Sequence, residues 1–223
     1  MIELNKINNI KLIISDFDGP IHDLNATKIL TFKTLCKLEG MEFNKSAHYT
    51  FLVLIDQYYE LNRCTDYKEI TRYALEKMNS VGIIRGSKKQ IHNFSEKFYE
   101  KLKLLLIPNR PLLNTLSQIK TSQQDMKCVV YTSQYSSFVL DFFSVTGVDS
   151  GIFDKIYGKE EFLESKPSLS NLEKICEDYS VKPFEVIMIG DSPVQDIMPA
   201  KFLGMRTWLV SPIVDMLFDS LSI

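Results

Sequence analysis

Two carboxylates stand two residues apart at the end of an apolar run in the segment LIISDFDGPIHD, residues 12–23. Asp16 and Asp18 are followed at once by Gly19 and Pro20, so negative charge is concentrated where the chain turns. Two such charges repel by about 1 kcal/mol at 4 Å in water, and by more in a drier site, unless a positive group stands beside them. Clustered carboxylates suit a hard, oxygen-seeking cation. Mg²⁺ typically takes one or two of them together with phosphate oxygens.

Three further patches supply the complement. The run CVVY is followed by Thr132, Ser133 and Gln134, with a helical pattern just beyond whose first N–H groups would point at the same place. Lys166 and Pro167 stand where another helix begins, with Pro167 read as its first helical residue. VIMIGDSPVQDI ends an apolar run in Gly190 and Asp191; Ser192 then reads as an N-cap, Pro193 as the first helical residue, and Asp196 lies one turn on. Hydroxyl, ammonium and helix N-termini are the groups that hold a phosphate.

All four patches need elements that bring them to one edge. Short apolar runs at Ile10 to Ser15, Met126 to Tyr131, Val186 to Ile189 and Thr207 to Val210 read as buried parallel strands, with a weaker one from Phe153 to Tyr157. Helical patterns at 111–121, 135–145, 167–179 and 193–203 lie between them. Strands alternating with helices imply right-handed crossovers and an α/β fold built on a doubly wound parallel sheet. In such a sheet ligands bind outside the carboxyl ends of the strands, where the strand order reverses. Every patch falls on that edge. In an extended exit residues i and i+2 face the same side, which puts Asp16 and Asp18 together and turns Phe17 to the core.

One segment breaks the rhythm. From the first strand to Pro108 there is no strand pattern, only apolar residues at helical spacing, as in NATKILTFKTLCKLEG, which stops at Gly40. We read it as an insert of four helices. Its aromatics, Phe51, Tyr58, Tyr59, Tyr67 and Tyr73, read as the insert's own core rather than a base-stacking platform, and His22 as a solvent-facing residue at the hinge, with reach to substrate the alternative. His48 and His92 read as structural.

The totals bound the setting. With 26 basic and 28 acidic residues in 223, the net charge of −2 carries no field for nucleic acid. Cys36, Cys64, Cys128 and Cys176 are scattered without metal-binding spacing and read as reduced, buried thiols of a cytoplasmic protein. The first residues are too polar for a signal peptide, and no apolar run, Leu104 to Ile107 included, is long enough for a membrane span.

In order and spacing, DFDGPIHD, the Thr132 strand exit, SKPSLSNLEKIC and MIGDSPVQDIMPAKFLGMRTWLV resemble the four motifs of the haloacid dehalogenase superfamily. The phosphoglycolate phosphatase-like branch, with a helical cap inserted after the first motif, is the one they resemble most. The resemblance covers 10–22 and 108–212 and implies a Rossmann-like catalytic core, 1–22 and 108–223, around an α-helical cap domain, 23–107. Pro20 stands where many relatives have Thr, and Ser133-Gln134 where Asn is commoner.

The resemblance implies a Mg²⁺-dependent phosphatase of a small phosphorylated metabolite, a monomer or homodimer acting without nucleic acid or membrane. It makes Asp16 the nucleophile that forms an aspartyl-phosphate and Asp18 the acid and base. Asp16, the backbone carbonyl of Asp18 and Asp191 would hold the metal, with Asp196 auxiliary. Thr132, with Ser133 as the neighbouring hydroxyl, and Lys166 would bind the phosphoryl group and offset its charge. A dehalogenase of this superfamily attacks carbon and lacks the counterpart of Asp18. A phosphomutase of the branch carries a histidine near the position of Lys28. A binding or regulatory protein on the scaffold would have lost Asp16, Asp18, Lys166 or Asp191, and a phosphotransferase would pass the group to an acceptor other than water.

Overall fold

A computed structural model describes residues 9–62 and 66–210. Its elements run β1 (Leu12–Ser15), α1 (Leu24–Glu39), β2 (Glu42–Phe43), α2 (Ala47–Asn62), α3 (Tyr67–Ser80), β3 (Ile84–Arg85), α4 (Lys88–Leu104), α5 (Arg110–Ser122), β4 (Lys127–Tyr131), α6 (Ser136–Thr146), β5 (Lys155–Tyr157), α7 (Leu169–Asp178), β6 (Val186–Gly190), a π-turn (Pro193–Ile197) leading into α8 (Met198–Phe202), and β7 (Arg206–Leu209).

Five strands form one parallel sheet in the order β5-β4-β1-β6-β7. The central strand, β1, pairs Leu12 with both Lys127 and Val186 and is buried along its length, which is why LIIS is apolar almost throughout. After β1 the chain builds outward through β4 to β5, then crosses back to β6 and β7. The order reverses at β1, so its carboxyl end is the switch point of a Rossmann-like α/β fold.

The chain divides into two compact units, one holding the described residues up to Asp23 and from Ile107 onward, the other Leu24–Leu106. The second is helical, its core formed by Phe32, Phe51, Phe94 and Phe98 with Leu35, Leu75 and Met78. It also contains the antiparallel pairing of Glu42–Phe43 with Ile84–Arg85, a two-residue ladder too short to leave an alternating pattern in the sequence. Tyr58 and Tyr67 pack on this core, whereas Tyr59 is exposed. At the root of the connections, within the first unit, Asp23 N–H donates to Ile107 O (2.8 Å) and Asn109 N–H to Ile21 O (2.8 Å).

Cys36, Cys128 and Cys176 are buried free thiols, and Cys64 lies outside the described residues. Trp208 sits half-buried on the edge strand β7. No helix among the described residues is long and apolar enough to cross a membrane.

Candidate active site

Asp16 continues the β1–β6 ladder by one residue, its N–H donating to Ile189 O (2.8 Å), and its own Oδ1 accepts from the Phe17 N–H (2.8 Å). Phe17 turns inward, fully buried, edge-on to Phe138 and Phe142. Its carbonyl then accepts from the N–H groups of Ile21 (3.0 Å) and His22 (2.8 Å), which curls DGPIH into a compact turn. Gly19 sits in that turn at φ 94°, a region that costs an L side chain. A Cβ there would stand 2.4 Å from the carboxylate carbon of Asp191. The glycine of the first motif therefore admits the carboxylate of the fourth.

Gly190 plays the same part at the end of β6, where a Cβ would come within 2.3 Å of Asp196 Cβ. The π-turn that follows begins with Ser192 as N-cap, its hydroxyl accepting from the Gln195 N–H (3.1 Å). That turn carries Asp196 back over the strand end, where its Oδ2 accepts from the Ser192 N–H (3.2 Å).

Lys166 joins these parts. Its Nζ donates to Asp16 Oδ1 at 2.8 Å and to Asp196 Oδ1 at 2.9 Å, with its side chain 3% exposed and that of Asp196 1%. The ammonium also lies 4.5 Å from the centroid of the Tyr131 ring, a cation–π contact. Tyr131 in turn positions the loop that presents the lysine: Asn171 Nδ2 donates to Tyr131 Oη (3.0 Å) and to Glu164 O (2.9 Å). Helix α7 starts only at Leu169, with Ser168 as its cap. Pro167 therefore stands outside the helix, contrary to the reading of Lys166-Pro167 as a helix start, and the Lys166–Pro167 peptide is cis. A separate loop is needed to bring the ammonium to the strand ends.

Carboxylate oxygens of Asp16, Asp191 and Asp196 lie within 4.8 Å of one another. Their mutual charge, taken with their burial, sets their acidity. Burial pushes Asp16 up from 3.8 to about 7; Lys166 pulls it down, and Asp196 and Asp18 push it further up. Asp191 rises to about 6, again first by burial and then by Asp196 and Asp18. Burial works against the charge on Lys166, yet the two carboxylates beside it outweigh that cost and hold the ammonium protonated well above its ordinary range. Among the described residues, one ammonium is paired with Asp16 and Asp196, while Asp191 and Asp18 add their charge to the same cluster, so the carboxylates outnumber the cation that offsets them. All the donors are hard oxygens, and Gly19 and Gly190 keep the space between them open. That donor set fits a small divalent cation such as Mg²⁺.

Asp18 stands apart from the lysine. His22 Nδ1 lies 2.8 Å from its Oδ1, and Gln134 Nε2 donates to its Oδ2 at 2.8 Å. His22 is 1% exposed and packs against Phe17 and Phe142, with ring centroids 5.5 and 5.2 Å away. The reading of His22 as a solvent-facing hinge residue is thus corrected: the turn after Gly19 folds its ring inward.

Thr132 is buried, with its N–H donating to Tyr157 O (3.0 Å) and its hydroxyl accepting from the Gln134 N–H (3.0 Å); Ser133 is exposed. The Ser136 N–H at the start of α6, expected to point at the phosphate, donates to Glu160 Oε1 (2.9 Å) instead. Gln134 was named with the Thr132 patch, but its contact with Asp18 was not foreseen, and sequence reasoning missed Tyr131 and Asn171 as supports. A tyrosine closing a buried strand, and an asparagine on the buried face of α7, were the available signals.

The model of the family described as haloacid dehalogenase-like hydrolase matches residues 13–210. A curated relative from Clostridium perfringens, named "Putative pyrophosphatase PpaX", is 27% identical over 203 residues, covering 89% of this chain and 82% of that protein. The crystal structure of Bacillus subtilis YfnB bound to magnesium superposes with a TM-score of 0.65 at 17% identity, covering 96% of this chain and 99% of that one. A hydrolase from Streptococcus pneumoniae gives 0.65 at 19% identity, covering 96% and 100%.

Proposed function

The chain belongs to the haloacid dehalogenase-like hydrolase family, and on that ground and on the chemistry of its strand-end cluster we propose that it is a Mg²⁺-dependent phosphatase of a small phosphorylated metabolite. The observation that carries the reading is the Lys166 ammonium held between Asp16 and Asp196, with Asp191 completing the acidic cluster.

Hydrolysis of a phosphate monoester is among the slowest uncatalysed reactions, so catalysis rests on positioning and on neutralising charge. Asp16 is the nucleophile. Its carboxylate oxygen bonds to phosphorus as the bond from phosphorus to the alcohol oxygen breaks, giving an aspartyl-phosphate. Asp18 delivers a proton to the departing alcohol, then takes one from the water that attacks phosphorus and frees Asp16. Lys166 offsets charge on the nucleophile and on the transferred group. Thr132 supports the phosphoryl pocket, with Ser133 as the neighbouring exposed hydroxyl. Asp196 holds Lys166, since both of its oxygens already have partners in Lys166 and the Ser192 N–H. Mg²⁺ held by Asp16, Asp191 and the Asp18 backbone carbonyl would lower the repulsion between carboxylate and phosphate.

The helical unit Leu24–Leu106 takes the part of the cap in this reading. Arg85 is exposed on it, and Arg63 lies outside the described residues. The proposed setting is the cytoplasm, where the three buried thiols stay reduced, and the protein acts as a monomer or homodimer. A phosphatase cleaves an ester and a pyrophosphatase an anhydride, but both break a P–O bond at the attacked phosphorus, so the name of the Clostridium relative is compatible with this reading.

The test is turnover of p-nitrophenyl phosphate with Mg²⁺. Asp16→Asn is expected to lower it by more than about 10³-fold, and to abolish the acid-stable phosphoprotein formed on quenching. Activity that survives the substitution unchanged removes the proposed nucleophile.

A further inference from the structure

Both oxygens of Asp18 are engaged by side chains from different parts of the chain: Oδ1 by His22 Nδ1 and Oδ2 by Gln134 Nε2, each at 2.8 Å. Gln134 is 116 residues away in sequence and stands two residues beyond Thr132. We infer that His22 and Gln134 are positioning residues, a clamp that fixes the rotation of the Asp18 carboxylate so that one of its oxygens meets the leaving oxygen of the substrate. The inference rests on the proposed acid–base role of Asp18.

The geometry is that of a two-sided hold. A carboxylate on a single χ1/χ2 pair swings freely unless both oxygens are tied, and proton transfer tolerates little misplacement. His22 is itself immobilised, packed against Phe17 and Phe142, with its backbone N–H on Phe17 O. The turn that carries Asp18 therefore also carries its first partner, and the partner is anchored to the core through the same phenylalanine. Gln134 is set from another loop: its backbone N–H donates to Thr132 Oγ1 (3.0 Å), so the loop that carries the Thr132 hydroxyl also carries the amide. Lys166 contacts Asp16 and Asp196, which leaves the clamp and the lysine acting on different carboxylates.

The consequence is separable from folding and from charge neutralisation. A misaligned acid matters only when the leaving group needs a proton. Phenyl phosphate releases a strongly basic phenolate, whereas p-nitrophenyl phosphate releases one that departs unaided. Gln134→Met keeps the length of the side chain without the amide, and His22→Phe keeps the ring packing without the nitrogen. For each variant kcat/KM on both esters is measured with saturating Mg²⁺, alongside Tm. The expected result is a loss of about tenfold or more on phenyl phosphate and under about threefold on p-nitrophenyl phosphate, with Tm near that of the parent. Gln134→Asn, which keeps the amide on a shorter arm, should recover part of the loss. Equal losses on the two esters, or no loss on either, overturn the clamp while leaving the phosphatase reading intact. Absence of turnover by the unaltered protein on both esters removes that reading and the clamp with it.

Discussion

The Lys166 ammonium lies 2.8 Å from the carboxylate of Asp16, across 150 residues of sequence. Neither side chain is in its usual state there. Asp16 is pushed towards neutrality by burial and by the neighbouring carboxylates, while the lysine is held firmly charged.

Metal affinity should follow the acidity of that cluster. Asp16 and Asp191 have folded-state values of about 7 and about 6, above their ordinary 3.8, so the folded chain binds more protons than the unfolded chain between these limits. Their contribution to stability is therefore fully present below about pH 4 and is lost as pH rises through 6 to 7. A cation needs both carboxylates ionised and reverses that loss. Melting curves in EDTA and in Mg²⁺ from pH 5 to 8 should diverge as pH rises, with the Mg²⁺ stabilisation largest at pH 8. A stabilisation independent of pH would contradict this origin. Asp16→Asn, which removes one of the carboxylates, should melt no lower than the parent in EDTA at pH 8.

Removing the lysine should harm both chemistry and folding. In Lys166→Met the buried carboxylates lose the charge that offsets them, which costs about 3–5 kcal/mol. Turnover of p-nitrophenyl phosphate should fall by about 10²–10³-fold. Because the carboxylates can take up protons instead, the stability loss is expected to shrink between pH 8 and pH 5. Chemical denaturation at the two values measures it.

Gly19 gives a test that removes no charged group. Gly19→Ala introduces both a positive-φ penalty and a Cβ 2.4 Å from Asp191. The first effect costs about 1–2 kcal/mol, and the second displaces the carboxylate. Gly82→Ala is the control, since Gly82 has φ 74° but nothing within 4 Å of the added Cβ. Both variants should melt lower. Only Gly19→Ala should lose the Mg²⁺-induced rise in Tm.

Much of the core was readable from local pattern. LIIS, CVVY and VIMIG are short, almost wholly apolar and end in polar or glycine residues, as buried parallel strands must when helices cover both faces. As candidates, Asp16, Asp18 and Asp191 stood out because each follows a strand, Lys166 because it was read at a helix start and Asp196 because it lies one turn on, all on the edge where such sheets bind ligands. The four-helix insert was legible through its 3.6-residue spacing. The β2–β3 ladder was not, because two residues per strand carry no period.

What the amino-acid order determined by itself was the alternation of elements and the residue types set at their ends, since both arise from local periodicity and turn chemistry. What only tertiary structure decided was who touches whom: His22 folded onto Asp18, Gln134 reaching the same carboxylate, Tyr131 under the ammonium and Asp191 lying over Gly19. These contacts depend on how five strands are ordered and how their exits curl. Pairing between distant segments is set by the packing of the whole core, which no single stretch encodes.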